Sequence, residues 1–147
     1  MIAIDPGTDK SAYVMLGRDG KIMNAGIMDN HAMIQFLNPH SDHDLVIEMV
    51  ASYGMPVGKE VFETCVWIGR FIERAGGKHR KIYRKDVKMH LCSDSRAKDS
   101  NIRQALIDKF GPGKDKAIGV KKSPGPLYGF KADMWAALAV AITAAGR

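Results

Sequence analysis

Three acidic residues far apart in the chain, Asp5, Glu48 and Asp133, stand where they could do metal chemistry. Hard divalent cations take carboxylate oxygens as ligands. A pair of such ions about 4 Å apart can activate a water and stabilise the departing oxygen when a phosphodiester is hydrolysed. Asp5 closes the apolar run Ile2-Ala3-Ile4 and precedes Pro6-Gly7-Thr8, which has the composition of a turn. Glu48 closes Leu45-Val46-Ile47, and Asp133 opens the apolar stretch containing Trp135, Leu138 and Ile142. Taken singly, Asp5 is an ordinary turn acid and Asp133 an acid favoured by a helix dipole. Glu48 is harder to explain that way, because a carboxylate ending a buried strand is costly unless a cation, hydrogen bonds or solvent compensate it.

Hydrophobic periodicity predicts the elements that must bring these acids together. Residues 2–4, 11–16 and 21–28 read as three antiparallel strands, the last two joined by the Arg18-Asp19-Gly20 turn. Residues 31–37 read as a short amphipathic helix ended by Asn38-Pro39. Residues 45–47 form a continuous apolar run, the pattern of a central parallel strand covered on both faces. Helices are expected over 60–75, where Gly76-Gly77 stops the chain, over 97–110 and over 132–145, with a fifth strand over 81–92. The sum is one α/β domain over 1–147, with a five-stranded mixed sheet flanked by helices on both faces and no internal repeat.

The 46% hydrophobic and 26% charged residues exclude a disordered chain and a membrane-spanning one. Lysine and arginine number 22 against 16 acids, a net charge of +6, which is the sign expected for binding a polyanion and is also common in basic proteins that bind none. Cys65 and Cys92 lie in apolar contexts without CxxC spacing, which fits reduced core thiols. The first residues carry no basic segment followed by a long apolar one, so a cytoplasmic location is expected.

Cations cluster in Lys78-His79-Arg80-Lys81-Ile82-Tyr83-Arg84-Lys85 and again in residues 114–122, which include Lys121 and Lys122. Arg80, Lys81, Arg84 and Lys85 could displace counterions from a nucleic-acid backbone; the plain alternative is a solvated loop and strand edge. His40 and His43 have a ligand-like spacing but sit in a polar loop with no cysteine partner, so they read as surface histidines; His90 and Cys92 read as strand residues. Asp99 is an acid at a helix start, stabilised by free N–H groups, and Lys98 taken alone is a solvated lysine.

Ile4-Asp5-Pro6-Gly7-Thr8, Val46-Ile47-Glu48-Met49 and the run from Ala132-Asp133-Met134-Trp135 to Ala141-Ile142-Thr143 resemble successive motifs of the RuvC family of Holliday-junction resolvases, in the form bacteriophages carry. Tyr83, Val87-Lys88 and Arg96-Ala97-Lys98 are similar to the segment between them, so the resemblance covers nearly the whole chain. It implies an RNase H-like fold and a homodimer that binds a four-way DNA junction and nicks opposing strands, leaving 5′-phosphate and 3′-hydroxyl ends. It further implies two Mg²⁺ ions per site, with Mn²⁺ able to substitute, and neither a nucleotide cofactor nor a membrane. On the matching positions, Asp5, Glu48 and Asp133 become metal ligands, Lys98 lies near the scissile phosphate and Lys88 contacts DNA. Tyr53, in the loop after Glu48, lies close to where the family presents an aromatic that stacks at the opened junction; core packing is the alternative. One departure is Ala136, where the family carries a further acid or histidine. Either three carboxylates suffice or Asp99 supplies the missing group.

Other activities share parts of this pattern. Asp5-Pro6-Gly7-Thr8 also resembles the first phosphate loop of actin-like ATPases and sugar kinases, which need two such domains to enclose a nucleotide. A nuclease acting on flaps or single strands would use the same carboxylates, and a junction-binding protein that has lost catalysis would keep the basic surface.

Overall fold

The computed structural model describes residues 1–147 apart from residue 41. Three strands open the chain, β1 (Ile2–Asp5), β2 (Lys10–Leu16) and β3 (Ile22–Asp29), followed by helix α1 (Asn30–Leu37), a short 3₁₀ turn at Asn38–His40 and strand β4 (Leu45–Met49). Helix α2 (Lys59–Arg74), strand β5 (His79–Tyr83) and helices α3 (Arg84–Cys92) and α4 (Asp99–Phe110) come next. The short helix α5 (Lys114–Ala117), a two-stranded hairpin of β6 (Gly119–Val120) and β7 (Ser123–Pro124), and helix α6 (Met134–Ala145) complete it.

The main sheet has the order β3-β2-β1-β4-β5, antiparallel through β3, β2 and β1 and parallel through β1, β4 and β5. The β2–β3 turn is made as the Asp-Gly pair suggests. Gly20 takes a positive φ of 79°, and Asp19 accepts a hydrogen bond from the Lys21 N–H at 3.1 Å.

Alternation along the central strands divides the core into two layers. Ala3 and Val46 point to a layer with α3, α4 and α6, where Leu106, Leu138 and Val140 are fully buried. Ile2, Ile4 and Ile47 point to the opposite layer with α1 and α2, where Met33 and Phe71 are fully buried. Helices thus cover both faces of a five-stranded mixed sheet, as expected. Among the described residues no helix is long and apolar enough to cross a membrane.

The expected strand over 81–92 is corrected: β5 stops at Tyr83 and the chain turns at once into α3. The Asp86 carboxylate accepts a hydrogen bond from the Tyr83 N–H at 3.0 Å, which caps the new helix, and Val87 and Leu91 then recur at helical rather than alternating spacing. His90 and Cys92 are therefore helical. The final helix begins later than expected, at Met134, because Ala132 adopts a left-handed φ of 47° that a helix cannot contain. Both cysteines are free and half-buried rather than core residues. The basic loop 114–122 holds a helical turn and the first strand of the small hairpin, with Lys121 and Lys122 exposed between β6 and β7.

Candidate active site

Register brings the first two acids together. β1 and β4 run parallel with Ile4 opposite Ile47, so Asp5 and Glu48 are the next residues of the two strands and project to the same face, the α6 side of the sheet. The two carboxyl groups are close enough for each to shift the other's titration. Burial and the Glu48 and Asp133 charges push the Asp5 carboxyl up to about 8. Burial also raises Glu48, against the lowering effect of the Arg84 guanidinium. Two carboxylates that cannot both ionise comfortably in one dry site are the kind of group whose charge a hard dication neutralises.

Asp133 precedes the first turn of α6 and is exposed to solvent, near enough for its charge to act on both other acids. It does not close a cage. Among the described residues no three His, Cys, Asp or Glu side chains stand close enough to hold a metal ion. An all-carboxylate donor set nevertheless fits a hard cation such as Mg²⁺ in its chemistry, with Asp5 and Glu48 adjacent and Asp133 at the rim.

The gap among the acids is filled by Arg84. β5 pairs with β4 so that Ile82 lies opposite Glu48 and Tyr83 opposite Met49, and Arg84 opens α3 immediately beyond the end of β5. Its guanidinium lies 3.7 Å from Glu48 and forms an ion pair with Asp99, the first residue of α4. Asp99 thus enters the cluster through Arg84, and its charge acts on Glu48. Ala136 lines the same cavity as Asp99 and Asp133, about 410 Å³ in volume. Lys98 precedes α4 as its cap residue, exposed, with its N–H donating to Asn101 at 2.9 Å.

The remaining cations separate by position. Lys85 and Lys88 line a cavity of about 290 Å³ with Tyr53 and Arg84, directly beside the acids. Arg80 lies near the opposite end of β5, where it donates to the Ala144 carbonyl at the C-terminus of α6 at 2.9 Å, a helix-capping role. Lys81 is exposed on this edge strand. Tyr53 is 64% exposed with a left-handed φ of 50°, followed by Gly54 at φ 80°, and lines a cavity of about 250 Å³ with Asp5 and Glu48. It is not a core residue. His40 and His43 stack edge to face, His40 also lying against Phe36.

A buried polar network that the sequence reading missed fixes the turn after Asp5. The Ser11 hydroxyl donates to Asn30 at 2.6 Å, the Asn30 amide donates to the Gly7 carbonyl at 2.9 Å, and the Gly7 N–H donates back to Ser11 at 3.2 Å. A side chain at Gly7 would collide with the Lys10 carbonyl, so the turn requires glycine. Asn30 could have been noticed as a polar residue opening an apolar helix, but its partner across the strands could not.

No protein-family model matches the sequence, and no curated protein matches it either. Solved structures do. The chain is similar to RuvC of Thermus thermophilus with a TM-score of 0.66 at 15% identity, covering 99% of this chain and 94% of that one. It is likewise similar to T. thermophilus RuvC in complex with a Holliday junction substrate, with a TM-score of 0.65 at 14% identity, over 97% and 92% of the two chains. This protein therefore has the RuvC-like, RNase H-like fold.

Proposed function

We propose that the protein is a divalent-metal-dependent endonuclease that cuts branched DNA, four-way junctions foremost, as a small resolvase of the kind bacteriophages carry. The observation that carries this reading is the Asp5–Glu48 pair, two mutually repelling carboxylates at the ends of adjacent parallel strands, opening into a cavity beside Tyr53. The similar T. thermophilus protein is described in complex with a Holliday junction substrate, which supports branched DNA as the ligand.

Asp5, Glu48 and Asp133 would hold Mg²⁺, or Mn²⁺ in its place, two ions per site, which would supply an activated water and neutralise charge at the scissile phosphate. The chain's own residues do the rest. Lys85 and Lys88 draw the phosphate backbone toward the acids, Tyr53 offers an exposed ring to an unstacked base, and Lys98 stands at the start of α4 as a further cation. The Ser11–Asn30–Gly7 network holds the turn that aims Asp5. Paired incision requires two sites, and α2 leaves Phe62 and Val66, each 62% exposed, one turn apart for a second copy. No nucleotide cofactor and no membrane enter this reading, and the bacterial cytoplasm is where such a substrate would be met.

The deciding experiment incubates the purified protein with end-labelled four-way junction, flap and linear duplex, each with Mg²⁺ or EDTA. Symmetric nicks in the junction alone, only with Mg²⁺, are expected; equal cutting of flaps would make it a less selective nuclease. A second reading, a junction-binding protein without catalysis, is favoured by the Arg84 guanidinium lodged beside Glu48. It predicts a bound junction and no product at any Mg²⁺ concentration.

A further inference from the structure

Arg84 occupies an unusual place. It is the first residue of α3, where the helix dipole disfavours a cation, and its side chain is largely buried between Glu48 on one side and Asp99 on the other. The same side chain lines both the cavity containing Asp5 and Glu48 and the cavity containing Asp99 and Asp133. It is therefore a shared wall that splits the three acids into two compartments. It also lines the cavity that holds Lys85, Lys88 and Tyr53.

We propose that Arg84 is an internal counter-ion that holds the acid cluster closed to divalent cations, with Asp99 as its anchor, and that a DNA phosphate draws it out. The inference rests on the nuclease reading. A guanidinium and a dication cannot both neutralise Glu48 at close range, so each weakens the other. A phosphodiester arriving at Lys85 and Lys88 offers the planar Arg84 guanidinium two charged oxygens to bridge, within the cavity it already lines. When Arg84 turns to the phosphate, the wall between the two compartments is withdrawn and the acids lose their close internal cation, so the cluster becomes more negative by a unit charge. DNA and metal then bind with positive coupling, and free protein takes up ions poorly. Asp99 accordingly acts as a positioning residue that sets how firmly Arg84 is held, and not as a substitute for the acid absent at Ala136.

The test is equilibrium binding of Mn²⁺ to the protein without DNA, by calorimetry and by the shift in melting temperature, for the parent, Arg84→Ala, Arg84→Gln and Asp99→Asn. Removing the guanidinium should tighten Mn²⁺ binding by about tenfold or more, as expected from deleting a unit charge beside the ligands. Arg84→Gln keeps the side-chain volume should Arg84→Ala fold poorly. Asp99→Asn should tighten binding to a smaller degree, since it loosens Arg84, whereas loss of a metal ligand would weaken it. A short DNA duplex should tighten Ca²⁺ binding to the parent and leave that to Arg84→Gln nearly unchanged. Equal Mn²⁺ affinities in the parent and both Arg84 variants would overturn the counter-ion role while leaving the metal site standing. Absence of binding in every variant, with or without DNA, would overturn the nuclease reading together with it.

Discussion

Asp5 and Glu48 end neighbouring parallel strands in register, so the two carboxyl groups meet on one face of the sheet with the Asp5 carboxyl pushed up to about 8. Neither residue is costly alone. Their conjunction is, and it makes the site a reservoir of repulsion that only a cation or a proton relieves.

Neutralising either member should therefore separate cutting from binding. Asp5→Asn and Glu48→Gln are each expected to lower Mg²⁺-dependent nicking by roughly a hundredfold or more, because an anionic ligand is lost. Junction binding should persist in a gel-shift assay in EDTA. Nicking at the parental rate by either variant would remove the pair from the reaction.

The same pair sets a pH dependence of stability. The folded Asp5 carboxyl keeps its proton up to about 8, whereas the unfolded chain releases it near 3.8, so unfolding sheds a proton throughout that window. Stability without divalent ions should fall as pH rises through it, with a limiting slope of about 1.4 kcal/mol per pH unit. Melting temperatures in EDTA from pH 4 to 9 measure this. Asp5→Asn should flatten the decline, and Mg²⁺ added at pH 8 should restore the parent by mass action.

Lys85 and Lys88 should act through phosphates and Tyr53 through a base. Replacing both lysines with alanine should make the slope of log affinity against log salt shallower by about 1.8, near 0.9 per lost contact. Tyr53→Gly should leave that slope alone and cost about 1 to 3 kcal/mol of junction affinity. Because Tyr53 already takes a left-handed φ, glycine there should not lower the melting temperature, which separates loss of stacking from loss of fold.

The exposed pair on α2 gives a test of pairing between copies. If Phe62 and Val66 meet a second chain, the parent sediments as a dimer and Phe62→Asp with Val66→Asp sediments as a monomer of unchanged helix content. A parent that is monomeric both free and on a junction would end the paired-incision scheme.

Most of the fold was legible because burial imposes periodicity on sequence. The strands around Ile2, Val14 and Ile47 and the helices bearing Phe71, Leu106 and Leu138 are where apolar spacing predicts them. The failure at residues 84–92 has a local cause: one hydrogen bond from the Tyr83 N–H to Asp86 turns the chain into a helix, and a run of charged residues offers little periodicity against which to detect it. In the site, strand-end acids were legible from the cost of burying Glu48. Arg84 was not, because it sits in a run rich in lysine and arginine and its partners, Glu48 and Asp99, lie 36 residues before and 15 after it. A residue that reads as one of several phosphate contacts lies, in the free protein, between two carboxylates. Arg80, from the same run, is tied to the end of α6.

The position of β5 at the margin of the sheet gives its cations another consequence. A terminal strand offers unpaired backbone groups to any passing chain, and charge along it discourages such growth. His79, Arg80 and Lys81 guard that margin, whereas the opposite margin, β3, has no lysine or arginine from Ile22 to Asp29 and leaves Met23 69% exposed. Solubility at high concentration is therefore protected on one side of the sheet only, and a lysine in place of Met23 would supply to β3 the guard that β5 already has.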